Sequence, residues 1–161
     1  MIKDKDKSSA RLIITVLFML AGAALGSFFA ARAGEKWDAL SDMSFYGILA
    51  AEEILLAAIF LCGFSPGGSL VVLLLSAAKG FLVSAPVTLY IKLNGTSGYP
   101  NLWIRFAGGV LSSGAAAVTA LGSIDMSVGR RYGGKTDASY FYAFLLCAAI
   151  CAVGAFLTAK G

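Results

Sequence analysis

Three ionisable residues interrupt apolar stretches of the sequence. Glu52 and Glu53 lie in FYGILAAEEILLAAIFLC, and Lys79 lies in LVVLLLSAAKGFLVSAPVTLYI. A charge at the centre of a bilayer costs about 2.5–3.5 kcal/mol on insertion scales, so such residues are paired or functional. Their chemistry would suit a proton or ion path, a polar socket for a partner's membrane helix, or a static ion pair that fixes helix register. We favour the static pair.

Lys79 is predicted to pair with one of the two glutamates. The two apolar stretches are joined by SPGG, which favours a tight hairpin. Glu53 lies eleven residues before Phe64 and Lys79 ten residues after Ser69, so their side chains reach nearly the same depth. Glu52 points about 100° away from Glu53, so the two do not both face Lys79. The sequence leaves open which one forms the pair.

The chemistry available elsewhere in the chain is narrow. The chain has no histidine, which removes the usual proton shuttle, the commonest metal ligand and any Ser-His-Asp set. Cys62, Cys147 and Cys151 lie in apolar runs typical of small core residues. P-loop, HExxH and GxGxxG motifs are absent from the sequence, and no basic cluster carries interleaved aromatic residues. We therefore predict no enzyme activity, no cofactor, no metal site and no nucleic-acid partner.

The elements that hold these residues are predicted to be membrane helices. Hydrophobic residues make up 58% of the 161 residues and charged residues 14%, against about a quarter charged in soluble domains. A bilayer core of about 30 Å needs roughly 20 apolar residues in a helix. The sequence thus predicts an all-α, polytopic membrane helix bundle, a single integral membrane domain over residues 1–161. Its predicted spans are about 11–31, 45–64, 69–91, 102–123 and 139–159.

The basic residues predict an orientation in the membrane. With the N-terminus inside, seven lysines and arginines lie on the inner side and five on the outer side, where Arg105 is counted. We therefore predict that the N-terminus is inside and the C-terminus outside. The polar segment GEKWDALSDMS after the first span is either a short interfacial helix or a plain loop.

Rows of small residues are predicted to bring helices together. Gly22 and Gly26 form a GxxxG pair in the first span. In the fourth span, Gly109, Ser113 and Ala117 lie on one row, and an adjoining row holds Gly108, Ser112, Ala116 and Ala120. Most of these rows would pack inside the bundle. Because there are more of them than five helices need, we expect one to face another protein or a second copy of the chain, a possible homo-oligomer.

One segment resembles the stage II sporulation protein M family. That family has a glycine-rich turn, an aliphatic run, and a Lys-Gly or Arg-Gly pair followed by small and aromatic residues. The matching pieces here are Gly63, Pro66-Gly67-Gly68, Leu70 to Leu75, Lys79-Gly80-Phe81, and Gly95 to Tyr99. The end of the first span, LGSFFAARAG, is also similar to the family's first helix.

The resemblance implies a role in endospore formation. It implies a multi-pass scaffold of the engulfment machinery, associated with cell-wall hydrolases (a lytic transglycosylase and an amidase/endopeptidase) and not itself a hydrolase. The alternative is a small-molecule transporter or membrane substrate-binding subunit that uses Glu52, Glu53 and Lys79. Pro86 in the third span supports this alternative, since broken helices often frame transport sites. A lipid-modifying enzyme would need more convergent polar groups than the sequence offers.

Overall fold

The computed structural model describes residues 2–32, 45–95, 99–132 and 138–160. Within these ranges the chain forms helices and no strands. The five helices are α1 (Ile2–Arg32), α2 (Phe45–Cys62), α3 (Gly68–Asn94), α4 (Tyr99–Arg131) and α5 (Ala138–Lys160). The prediction of an all-α bundle is confirmed. The interfacial helix that the sequence allowed after the first span lies outside the described residues.

Four of these helices are long and apolar enough to cross a membrane: α1, α3, α4 and α5. The protein is therefore a multi-pass membrane protein. The helix α2 has 18 residues, or about 27 Å, and it carries both glutamates. That length is slightly short of the hydrocarbon thickness of about 30 Å. A fifth membrane span therefore stays a prediction.

The helix α4 extends well beyond the predicted span boundary at residue 123. It continues to Arg131, and its last turns contact α1 and the turn between α2 and α3. Ser127 Oγ donates a hydrogen bond of 2.7 Å to the Ser65 carbonyl, and Asp125 forms an ion pair with Arg11 of α1. The predicted span ended at residue 123 because the residues after it are polar and basic, yet two of them form contacts that support further helical turns.

The helices alternate in direction along the chain, as the contacts between their ends show. We define the upper end of the bundle as the side on which α2 and α4 begin and α3 and α5 finish. The lower end is the opposite side, and it holds the turn between α2 and α3. The helix α4 is central and contacts each of the other four, while α1 packs chiefly against α3. Lys92 Nζ donates to the Ala31 carbonyl at 3.2 Å, which places the end of α1 at the upper end. The described chain thus starts at one end of the bundle and finishes at the other.

Glycines allow two close seams between helices. A Cβ on Gly80 of α3 would overlap the carbonyl oxygen of Met19 of α1, and a Cβ on Gly22 would overlap the Ala77 carbonyl. Between α4 and α5, a Cβ on Gly108 would lie 2.5 Å from the Gly154 carbonyl oxygen, and the reverse distance is 2.8 Å. Such backbone approach is the way membrane helices gain packing contacts without a hydrophobic driving force.

The lower half is held together by hydrogen bonds between helices and by stacked rings. Tyr140 Oη of α5 donates to the Phe60 carbonyl of α2 at 3.0 Å and shares a hydrogen bond of 2.6 Å with Ser123 Oγ of α4. The Phe60 ring stacks between Tyr140 and Phe144, with centroid distances of 4.7 Å and 4.2 Å. This half of the bundle is therefore fixed by directional contacts on α2, α4 and α5.

Candidate functional site

A charged cluster joins three helices near the middle of the bundle. Lys79 of α3 is only 1% exposed, and its ammonium forms an ion pair with Glu52 of α2. The same Nζ donates a hydrogen bond of 3.1 Å to Ser112 Oγ of α4. Ser112 in turn donates to the Gly109 carbonyl of its own helix at 3.2 Å. One ammonium group therefore links α2, α3 and α4.

The structure selects Glu52, and not Glu53, as the partner of Lys79. Glu53 is half-buried and lies outside this ion pair. Glu53 was as good a candidate as Glu52 because it lies at nearly the same depth as Lys79. Successive residues on a helix are rotated by 100°, so the rotation of α2 about its axis decides which carboxylate faces α3. The side chain of Glu52 is 13% exposed, so the pair is nearly enclosed.

The adjacent residues Lys79 and Gly80 face different helices. Because they are separated by 100° on α3, Lys79 points to α2 and α4 while Gly80 meets the backbone of α1. Any side chain at residue 80 would push α1 away, and any uncharged side chain at residue 79 would leave Glu52 without its counterion. The Lys79-Gly80 pair thus fixes the packing of α3 against α2 and α4 on one face and against α1 on another.

A small cavity lies above this cluster, in the upper half of the bundle. Its volume is about 80 Å³. Four helices form its wall, which includes Ala51 and Glu52 of α2, Leu82 and Pro86 of α3, Arg105 of α4 and Thr158 of α5. Most of the wall is apolar, and Glu52 and Arg105 supply its charges. The proline predicted to interrupt the third span is therefore part of a cavity wall, although α3 continues through it to Asn94.

Arg105 is the second cation of this site. Its guanidinium carbon lies 4.6 Å from the centroid of the Tyr90 ring, within the range of a cation–π interaction. Its Nε is buried and has no hydrogen-bond partner among the described residues. Arg105 lies seven residues before Ser112 on α4, so it is about 10 Å nearer the upper end than the Lys79 cluster.

The small residues singled out in the sequence are placed at several contacts within the chain. Gly22 and Gly26 lie on the seam with α3, where a Cβ on Gly26 would overlap Ser84 Oγ. A Cβ on Gly109 would lie 2.6 Å from Val83 Cγ1, whereas Ser113 and Ala117 are half-buried. The most buried row on α4 is the adjoining one: Gly108, Ser112, Ala116 and Ala120.

Sequence reasoning missed two residues of this region. Arg105 was assigned to the outer loops because it lies near a span boundary; the available signal was its position one turn before Gly109 in an apolar run. Gly154 was missed because it lies on none of the small-residue rows singled out in the sequence. A glycine inside an apolar span was the signal for that seam.

Metal binding has no support in the described residues. They contain no group of three or more His, Cys, Asp or Glu side chains that could hold an ion. Cys62, Cys147 and Cys151 are free thiols, and the last two are buried in the apolar core.

Comparison of the chain with protein-family models, with curated proteins and with solved structures finds no match. The resemblance to the stage II sporulation protein M family therefore stays a prediction that rests on the segment from Gly63 to Tyr99.

Proposed function

We propose that this protein is a non-catalytic membrane scaffold that assembles partner proteins through helix packing within the bilayer. The observation that carries the proposal is the cluster of Lys79, Glu52 and Ser112. Its buried charge is balanced inside the chain and ties three helices together, as expected of a rigid support. A group that exchanged protons or substrate would need access that this enclosed ammonium lacks.

The sporulation role is part of the same proposal. The partners would be cell-wall hydrolases of the engulfment machinery, as the resemblance of residues 63–99 implies. The chain would lie in the bacterial cytoplasmic membrane with its N-terminus inside and its C-terminus outside. The excess of basic residues on the predicted inner side supports this orientation. The start of α1 and the end of α5 lie at opposite ends of the bundle, which supports termini on opposite sides of the membrane.

The helix α1 offers the surface on which such partners would pack. It sits at the edge of the bundle against α3, and it exposes several large apolar side chains: Leu17, Leu20, Leu25, Phe28 and Phe29. The glycine seams are occupied within the chain, so a partner helix would meet these larger side chains. This places the expected contact on α1 and not on a small-residue row.

The test is identification of proteins that co-purify with the chain from gently solubilised membranes at native expression. The wild type, Lys79→Met and the double variant Lys79→Met/Glu52→Gln are compared. We expect the wild type to retain wall hydrolases, the single variant to lose them because Glu52 is left unpaired, and the double variant to recover them. Recovery of the wild type as a monomer without bound protein would contradict the proposal.

A transporter is the second candidate, favoured by the cavity beside the ion pair and by Pro86 in its wall. The double variant separates the two functions, because it removes both titratable groups while keeping the cluster neutral. Proton flux into proteoliposomes, measured with an entrapped pH-sensitive dye, should be abolished in the double variant if Glu52 and Lys79 carry protons. A scaffold gives no flux in either protein.

A further inference from the structure

Arg105 and the cavity below it have no role in the scaffold. We infer that they form a binding site for an amphipathic monoanion, a lipid whose oxyanion head contacts Arg105 and whose apolar chain leaves the cavity toward the bilayer. The inference is independent of both candidate functions, because such a lipid would be a resident of a scaffold or the cargo of a transporter.

The charge of the site calls for an anion. Glu52 is neutralised by Lys79, whereas no acidic side chain within the described ranges forms an ion pair with Arg105. The site therefore carries one net positive charge beside an apolar wall. A guanidinium presents a planar fork of donors that matches carboxylate and phosphate oxygens, and its buried Nε has no acceptor in the described parts of the chain.

The depth of the site suits a lipid head. Arg105 lies six residues after Tyr99, or about 9 Å along α4 from the start of that helix. Trp103 beside it is 67% exposed, which is typical of side chains at the membrane–water boundary. Arg105 is therefore placed near the level of the lipid heads of one leaflet.

The apolar wall lies deeper than the cation, as a lipid requires. Gly109 is one turn below Arg105, and Val83 packs against it. Leu82, the neighbour of Val83, also lines the cavity and is 38% exposed. The wall thus reaches the lipid-facing surface of the bundle, and a chain bound by its head can continue there into the bilayer.

The volume of the cavity limits the size of the group that can enter it. A cavity of about 150 Å³ holds benzene, and the cavity here is about half that size. It accommodates an oxyanion head or the first carbons of a chain, and the remainder of the lipid would lie outside.

The experiment measures binding to the full chain after it has been freed of lipid in detergent, by native mass spectrometry. The probes are oleate, phosphatidylglycerol, phosphatidylethanolamine and inorganic phosphate. Three variants are compared with the wild type: Arg105→Gln, Ala51→Leu and Arg32→Gln. Arg32 is the matched control because it lies at the same end of the bundle with its guanidinium carbon 4.3 Å from the Phe28 ring centroid, yet it does not line the cavity.

We expect oleate, phosphatidylglycerol or both to bind the wild type. Arg105→Gln should weaken that binding by about tenfold or more, because it removes a charge-assisted hydrogen bond. Arg32→Gln should change it by less than about twofold, as for an exposed charge. Ala51→Leu fills the cavity without altering a charge and should also weaken binding, which preserves the test if Arg105→Gln does not fold.

Preference for oleate identifies a carboxylate head, and preference for phosphatidylglycerol identifies a phosphodiester head.

Three results would overturn the inference. Equal losses in Arg105→Gln and Arg32→Gln would show non-specific attraction to cations. Equal binding of phosphatidylethanolamine and phosphatidylglycerol would remove the requirement for a net anion. Inorganic phosphate bound as tightly as either lipid anion would show that the apolar wall contributes nothing.

Discussion

The two halves of this bundle treat their polar groups in different ways. In the lower half, Tyr140 and Ser127 each donate to a backbone carbonyl of another segment, and Asp125 pairs with Arg11. Each half contains a cavity, of about 280 Å³ beside Asp125 and Tyr140 in the lower half and of about 80 Å³ among four helices in the upper half. In the upper half the Nε of Arg105 is buried with no acceptor in the described ranges. The cluster of Lys79, Glu52 and Ser112 marks the boundary between the two halves.

The difference indicates where stability and function reside. Buried polar groups are normally paired, and an unpaired one in a native protein calls for an explanation such as a missing ligand. The lower half meets this rule through contacts between its own helices. In the upper half Ser84 and Thr88 also form hydrogen bonds to α1, but the Nε of Arg105 has no acceptor within the described residues. Substitutions in the lower half and at the boundary should therefore lower stability, whereas those around Arg105 should chiefly change binding.

The largest expected effect is at the boundary, for Lys79→Met. This variant leaves the Glu52 carboxylate buried without a counterion, and breaking a buried pair costs about 3–5 kcal/mol. The free energy of unfolding would be measured in mixed micelles by titration with a denaturing detergent. Lys92→Met is the control, because Lys92 is exposed and its removal should cost less than about 1 kcal/mol. A similar small loss for both variants would show that Lys79 is not enclosed.

Gly80→Val should have the next largest effect, about 1–3 kcal/mol, because its side chain would overlap the backbone of α1. We expect α1 to separate from α3, detectable as faster proteolysis of α1 in detergent. Gly114→Val is the matched control, since Gly114 lies in a helix and its Cβ position is open. Protection of α1 in the Gly80 variant would contradict the close seam.

Tyr140→Phe should cost about 0.5–1.5 kcal/mol, the net value of a typical hydrogen bond within a protein. It removes the hydroxyl that contacts Phe60 and Ser123 and leaves the ring stack in place. Tyr142→Phe serves as the control because Tyr142 is 70% exposed. The free energy of unfolding of both variants is measured in the same titration. Equal stability of the two variants would show that the hydrogen bonds of the Tyr140 hydroxyl do not stabilise the lower half.

The smallest effect on stability is expected for Arg105→Gln without lipid. Among the described residues the variant loses the interaction with the Tyr90 ring, which is worth about 0.5–1 kcal/mol at a partly exposed site. With a lipid anion at a hundred times its Kd, the wild type should gain about 2.7 kcal/mol. The variant should not gain at that concentration. A loss in the lipid-free protein larger than that of Tyr140→Phe would break the proposed contrast between the halves.

The sequence predicted the helical elements well because apolar length is a local property. It placed Lys79 beside the glutamates, since depth follows from counting residues along two antiparallel helices. It left open the choice between Glu52 and Glu53, which depends on the rotation of α2 against α3. It missed the cavity, because a void among four helices arises from long-range packing that no local pattern encodes. It assigned Arg105 to the outer loops, although the position of Arg105 one turn before Gly109 in an apolar run was an available signal.

The seam between α1 and α3 has a consequence for biosynthesis. A ribosome adds about 5–20 residues per second, so the 62 residues from Arg32 to Asn94 take roughly 3–12 s. During this interval the first helix must reside in the membrane, or in contact with the insertion machinery, before its glycine partner emerges. The order of translation therefore leaves a window in which a chaperone of membrane insertion can hold α1.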